Sequence, residues 1–202
     1  MSVTRLLVLG GVRILQPAHG YLVRRELTTW QIEHWANVAS GSIYNALRTL
    51  TRDGLLEEHE AEIAVGGTGP AARATYTLTA DGEAEFLRLV RDALWQLHPY
   101  EPSRLLAGLS FWWALSRDEV IAALEARRTQ LDARVAGMAY ELEDVRTASA
   151  TPDHVAEHLF LHRAHLQGER QWVEDVLGRL RDGVYGFAGE DVPWRRGGPV
   201  VR

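Results

Sequence analysis

The chain has 202 residues, 46% of them hydrophobic and 24% charged, which suits one large globular unit or two small ones with enough length to bury a core. It contains no cysteine, so disulfides, zinc–thiolate sites and thiol nucleophiles are excluded. The net charge of −5 argues against indiscriminate binding to polyanions but leaves room for a local basic patch, because exposed charges are screened beyond about 10 Å.

Residues 4–15 read as a helix, with Leu6, Leu7, Leu9, Val12 and Leu15 mostly on one side. The segment QPAHGY ends it, since Pro17 cannot continue a helix and Gly20 is permissive. The apolar start is broken by Arg5 and Arg13, and no run approaches the ~20 residues that would span a bilayer. No signal-type cleavage site follows it, so a soluble, cytoplasmic protein is expected. A second helix is expected over 19–29, around Leu22, Val23 and Leu27; 30–39 has no clear period, with Trp30, Ile32 and Trp35 turned inward.

The third expected helix opens with Ser40 as its N-cap. Ile43, Leu47 and Leu50 share one face, while Ser42, Asn45, Thr49 and Arg52 form another row with Arg48 beside it. Asp53-Gly54 stops the helix, Gly54 supplying the left-handed position. Two strand candidates, 55–65 and 73–79, flank the Gly-rich loop 66–72. Glu57, Glu58, Glu60 and Glu62 alternate along the first as a solvent face rather than a catalytic pair.

Thr79 is placed as the N-cap of a helix carrying Phe86, Leu87, Val90, Leu94 and Leu97. The two prolines of HPYEP, 98–102, mark a hinge. Ser116 and Glu119 form a capping box before a long helix. There Leu124, Leu131, Met138 and Val145 recur every seven residues, with Ile121, Val135 and Leu142 between them and Arg128 as the polar exception. That seam calls for a partner helix. Thr151-Pro152 begins the last helix, which runs to about Arg181. The fold class expected is mainly α with a small β-hairpin. Residues 1–98 form a winged helix-turn-helix DNA-binding domain with a linking helix, 103–182 a helical dimerisation domain, and 183–202 a flexible tail.

A three-helix unit followed by a hairpin is the winged-helix order, in which the third helix enters the major groove. Residues 34–52 and 63–80 contain no Asp or Glu, although acids are common elsewhere. A helix against phosphates must lack carboxylates, each of which would face a negative surface. Asn45 suits an adenine edge, and Arg48 or Arg52 a guanine or a phosphate. A merely solvated face would have the same spacing.

The stretches LVLGGVRILQPAHGYLV, ASGSIYNALRTLTRDGLL and RATYTLTADGEAEF together resemble the PadR family of bacterial transcriptional regulators. The resemblance rests on Leu9-Gly10, Pro17 with His19-Gly20-Tyr21, Gly41-Ser42-Ile43-Tyr44 with Ala46-Leu47 and Leu50, Asp53-Gly54-Leu55, and Tyr76, Leu78, Thr79 and Gly82. It covers about the first half of the chain. The second half, with its paired long helices and HLQGERQW, looks like the longer members with a helical C-terminal domain. The resemblance implies a homodimeric repressor on a pseudo-palindromic operator in double-stranded DNA, responsive to a small aromatic or drug-like effector. It places Tyr21, Ser42, Tyr44 and Arg48 on DNA with Arg73 on the wing; Asn45 and Arg52 come from the face argument alone. Tyr44 has a second reading, half-buried with its hydroxyl on a phosphate. Trp95, on the helix after the wing, is the candidate effector contact. No cofactor is implied.

His154, His158, His162 and His165 lie along one side of the last helix, and His158 with His162 has the spacing for a shared metal ion. A polar surface row or a helix–helix seam is the simpler account of them, and a metal- or haem-responsive sensor stands as the alternative. A winged-helix protein-interaction module is a further one. No G-x-S-x-G or G-x-x-x-x-G-K-[ST] motif is present, and no enzyme activity is expected.

Overall fold

The computed structural model describes residues 2–60, 74–147 and 152–190. The chain begins with α1 (Val3–Leu15), whose Leu6, Leu7, Val8, Leu9 and Val12 are all fully buried. A two-residue strand follows, β1 (Ala18–His19), then α2 (Gly20–Thr29) and the single turn α3 (Ile32–Trp35). Next come α4 (Ser40–Arg52), β2 (Leu56–Glu60) and β3 (Ala74–Leu78). The sheet is antiparallel in the order β1-β3-β2, with Leu56 opposite Leu78 and Ala18 opposite Tyr76. The expected order thus holds with two additions: the stretch 30–39 contains the single turn α3, and the QPAHGY break contains β1, so the hairpin is part of a three-stranded sheet. The expected strand residues 61–65, the loop 66–72 and Arg73 lie outside the described residues.

α5 (Ala80–Trp95) starts as expected, with Thr79 Oγ1 accepting from the Gly82 amide at 2.9 Å. The HPYEP segment leads into α6 (Pro102–Leu109), with its proline in the first turn. Phe111 beyond α6 is fully buried, against Phe86 and Trp30 at ring separations of 5.4 and 5.6 Å. Its ring lies so close to Gly10 that a Cβ there would fall 2.2 Å from it. The buried cluster is therefore continuous from α1 into the helical half.

α7 (Arg117–Thr147) opens on the expected capping box: the Glu119 amide donates to Ser116 Oγ, and the Ser116 amide to Glu119 Oε2, both at 3.2 Å. α8 (Ala156–Arg181) lies antiparallel to it, joined by ion pairs such as Arg170–Asp132 and Arg181–Glu125. Leu124, Leu131, Met138 and Leu142 fill the seam; Ile121, Val135 and Val145 are half-buried at its edge. Arg128 is not the polar residue inside the seam. That residue is Arg127, 2% exposed. The start of α8 also differs: Pro152 precedes a 3-10 turn at Asp153–Val155, and the α-helix begins at Ala156. Thr151 lies outside the described residues.

Of the segment 183–202, residues 183–190 fold back onto the start of α7 instead of trailing away. Phe187 is fully buried beside Trp112 and Tyr185. Arg117 grips Glu190 through two bonds of 2.7 and 2.8 Å and donates to the Leu180 carbonyl at 2.6 Å. Residues 191–202 lie outside the described residues. Among the described residues no helix is long and apolar enough to cross a membrane.

Candidate nucleic-acid interface

α4 is amphipathic by sequence, and the fold uses that division fully. Ile43, Leu47 and Leu50 are each 1% exposed, buried against α1 and α2. Gly41, Ser42, Asn45, Arg48, Thr49 and Arg52 are all exposed on the opposite side. The expected row is thus one surface, and no carboxylate interrupts it. Arg48 donates to the Asn45 side-chain carbonyl. That bond holds the guanidinium along the helix, with donors left for a partner. Arg52 extends further, its side chain 76% exposed and 3.5 Å from Asp53 Oδ1.

The two ends of α4 are built differently. At the N-terminus Ser40 is not the cap. Ala39 occupies that position in an extended conformation, and the Ser40 hydroxyl donates to Glu33 Oε1 at 3.1 Å. The first-turn amides therefore lack a side-chain acceptor; that of Ser42 donates to the Ala39 carbonyl at 2.9 Å, and those before it are left to water or to a bound anion. At the C-terminus Gly54 adopts φ +73°, and the Leu55 amide closes on the Leu50 carbonyl at 2.9 Å. Asp53, the one acid here, is neutralised by Arg5 at 3.2 Å.

Tyr44 is half-buried, as its second reading supposed. Its ring packs near Gly20 at the start of α2 and close to Tyr76 on β3. Burial raises the Tyr76 phenol above its ordinary range, with the facing Glu58 adding to the effect. Tyr21 is half-buried on the first turn of α2, its ring 6.0 Å from His19. Arg24 and Arg25 follow at i+3 and i+4, on the same helical side as Tyr21. Arg25 is exposed and no ion-pair partner for it occurs among the described residues. Neither arginine belongs to the row expected from the sequence, which lies on α4. β2 presents Glu57, Glu58, His59 and Glu60 to solvent, so this strand is not itself a surface for phosphates.

Trp95 closes α5 at 37% exposure, with Gln130 of α7 donating to its carbonyl at 2.9 Å. The histidine row does not converge. His162 is 8% exposed and stacked on Tyr100 at 4.4 Å, whereas His158 faces the Val155 carbonyl at 2.5 Å. Among the described residues no three His, Asp or Glu side chains gather as metal donors. Burial, with Arg134 beside it, holds the His162 imidazole below the usual histidine range.

Residues 8–88 match the family model described as Transcriptional regulator PadR-like family. No curated protein matches the chain. Solved structures similar to it include the PadR-like transcriptional regulator of Bacillus cereus, at 16% identity and a TM-score of 0.35, covering 89% of this chain and 99% of that one. PadR of Bacillus subtilis in complex with operator DNA gives 20% identity and a TM-score of 0.34, covering 87% and 98%. The Bacillus subtilis protein in complex with p-coumaric acid gives 19% and 0.33, covering 89% and 99%. TM-scores this low carry no argument of their own, so the likeness is that of the family match alone. The likeness to the PadR-like family of transcriptional regulators thus rests on residues 8–88 of the chain.

Proposed function

We propose that this protein is an effector-responsive repressor that binds a pseudo-palindromic operator as a homodimer. Residues 1–98 hold DNA and 103–182 carry the dimer contacts. The observation that carries this reading is the outer face of α4. Its six exposed residues include two arginines, an asparagine and three small polar or glycine residues, with no carboxylate among them. Such a face can lie in the major groove, where Arg48 and Arg52 reach guanine edges or phosphates and Asn45 an adenine edge. Tyr21 and Tyr44 flank it from half-buried positions, and Ser42 lets the backbone approach closely. Arg73 is assigned to the wing by family position alone.

A symmetric pair of such heads reads two half-sites about 34–36 Å apart when they lie one helical turn apart. A small aromatic effector acts by changing the relative placement of the heads, with Trp95 at the end of α5 as the contact. Selection of bound sites from random duplexes, followed by mobility shifts at moderate salt, tests the reading. A two-fold-symmetric consensus supports it. Absence of any sequence-selective shift would sink it and favour a protein-interaction module. Loss of tryptophan quenching by aromatic acids in Trp95→Phe would support the effector contact; undiminished quenching would remove it.

A further inference from the structure

α5 is held at both ends, and one buried charge sits at the far end. At its start the Thr79 hydroxyl donates to the Gly54 carbonyl at 2.8 Å and the Thr79 amide to the Leu55 carbonyl at 3.2 Å. Those carbonyls end the turn that closes α4. From there α5 runs 16 residues, about 24 Å, to Trp95. The carbonyls of its last turn have no partner within the helix. Two side chains of α7 supply one. Arg127 donates through Nη1 to the Gln96 carbonyl at 3.0 Å and the Leu94 carbonyl at 3.5 Å. Gln130 brackets the same backbone, donating to the Trp95 carbonyl at 2.9 Å and accepting from the Leu97 amide at 3.1 Å.

Arg127 also reaches the third element. Its Nε donates to Glu169 Oε1 on α8 at 2.5 Å, while only 2% of the residue is exposed. A buried guanidinium is a poor choice for stability alone, since an apolar side chain of similar volume serves as well or better. What a guanidinium adds is a rigid fork whose donors point in fixed, separate directions. Here those directions lead to α5 and α8 from a residue of α7. α8 cannot slide along α7 without breaking the bond to Glu169 or drawing Arg127 off the end of α5.

We propose that Arg127 is a positioning residue that fixes α5, and through it the recognition helix α4, against the C-terminal helix pair. Its bearing on DNA rests on the function proposed above; the mechanical statement does not. The chain has no native cysteine, so Thr49→Cys on the exposed face of α4 and Ala133→Cys on the exposed face of α7 can carry spin labels. The distance between them is measured by pulsed electron resonance, with labelled chain diluted in excess unlabelled protein. The unsubstituted background gives one narrow distribution. Arg127→Met, which keeps volume and removes the fork, broadens it and, in the unlabelled chain with Thr49 and Ala133 intact, weakens binding to the selected duplex about tenfold, within the range of intersite couplings. Glu169→Gln retains an acceptor and keeps the distribution narrow. Gln130→Leu, at a half-buried position, is the milder variant and broadens the distance without burying an unpaired charge. Distributions as narrow as the background in both Arg127→Met and Gln130→Leu would overturn the proposal. If the parent protein binds no duplex, the DNA reading fails while the distance measurement still decides the clamp.

Discussion

Gly82→Ala is a severe perturbation for the addition of one methyl group. Glycine to alanine in the first turn of a helix normally stabilises a protein by about 0.4–1 kcal/mol, by restricting the unfolded chain. Here the sign reverses. A Cβ at Gly82 would lie 2.0 Å from the Leu55 carbonyl oxygen and 3.0 Å from its carbon. Ordinary contact begins near 3.4 Å, so about 1.4 Å of separation must open. The obstacle is backbone, so no side chain can swing away to relieve it. Overpacking of this kind costs about 1–3 kcal/mol. Moving the Leu55 carbonyl also breaks its bond from the Thr79 amide, adding about 1 kcal/mol. The total is about 2–4 kcal/mol, or roughly 4–16 °C in Tm for a chain of this size. Thermal melts by circular dichroism measure it directly. Operator affinity, measured by fluorescence anisotropy at a temperature where both proteins are folded, should fall as well, because the strain lies in the turn that ends α4. An unchanged or raised Tm would refute this account of why α5 and α4 meet at a glycine.

Gly41→Ala should behave oppositely: a Cβ there meets nothing within 4 Å, so Tm holds or rises slightly while operator affinity falls, and equal affinity would argue against close approach at that turn. Arg48→Ala should leave stability within about 0.5 kcal/mol, as an exposed substitution, and weaken operator binding by about 5–150-fold per head, the loss of one bidentate base contact; anisotropy across a salt series distinguishes this from a phosphate contact, whose loss flattens the salt slope by about one unit per head. Acid should destabilise the protein. His162 and His98 are both lowered, chiefly by burial and then by Arg134 and Arg104 respectively. The unfolded state therefore takes up protons first, and stability is lost as pH falls from about 6.5 toward the lowered values. Glu85 is lowered by its bond to Arg88, so its contribution disappears only in a separate, more acidic window below about 4.5. Melts between pH 7.5 and 5.5 check the first window, and His162→Gln should flatten part of that slope.

The amino-acid sequence by itself determined the long elements whose cause is local, but not the short helices α3 and α6. Apolar spacing placed α1, α4, α5, α7 and α8. Caps that bond three residues away, at Thr79 and at Ser116 with Glu119, marked two starts. The exposed row from Ser42 to Arg52 was readable because helical periodicity assigns faces before any partner is known. What only the tertiary structure decided are the roles that depend on a distant partner. Two residues of β1 are a strand only because β3 lies beside them, nearly sixty residues away. Ser40 leaves the cap position because Glu33 is within reach. Residues 183–190 pack because Trp112 and Arg117 offer an aromatic and a charged seat. Arg127, not its neighbour Arg128, enters the interior, because only from that register can one guanidinium meet both the end of α5 and Glu169. A heptad pattern cannot make that choice: burial of a charge depends on where its bonding partners are, and those lie on two other helices.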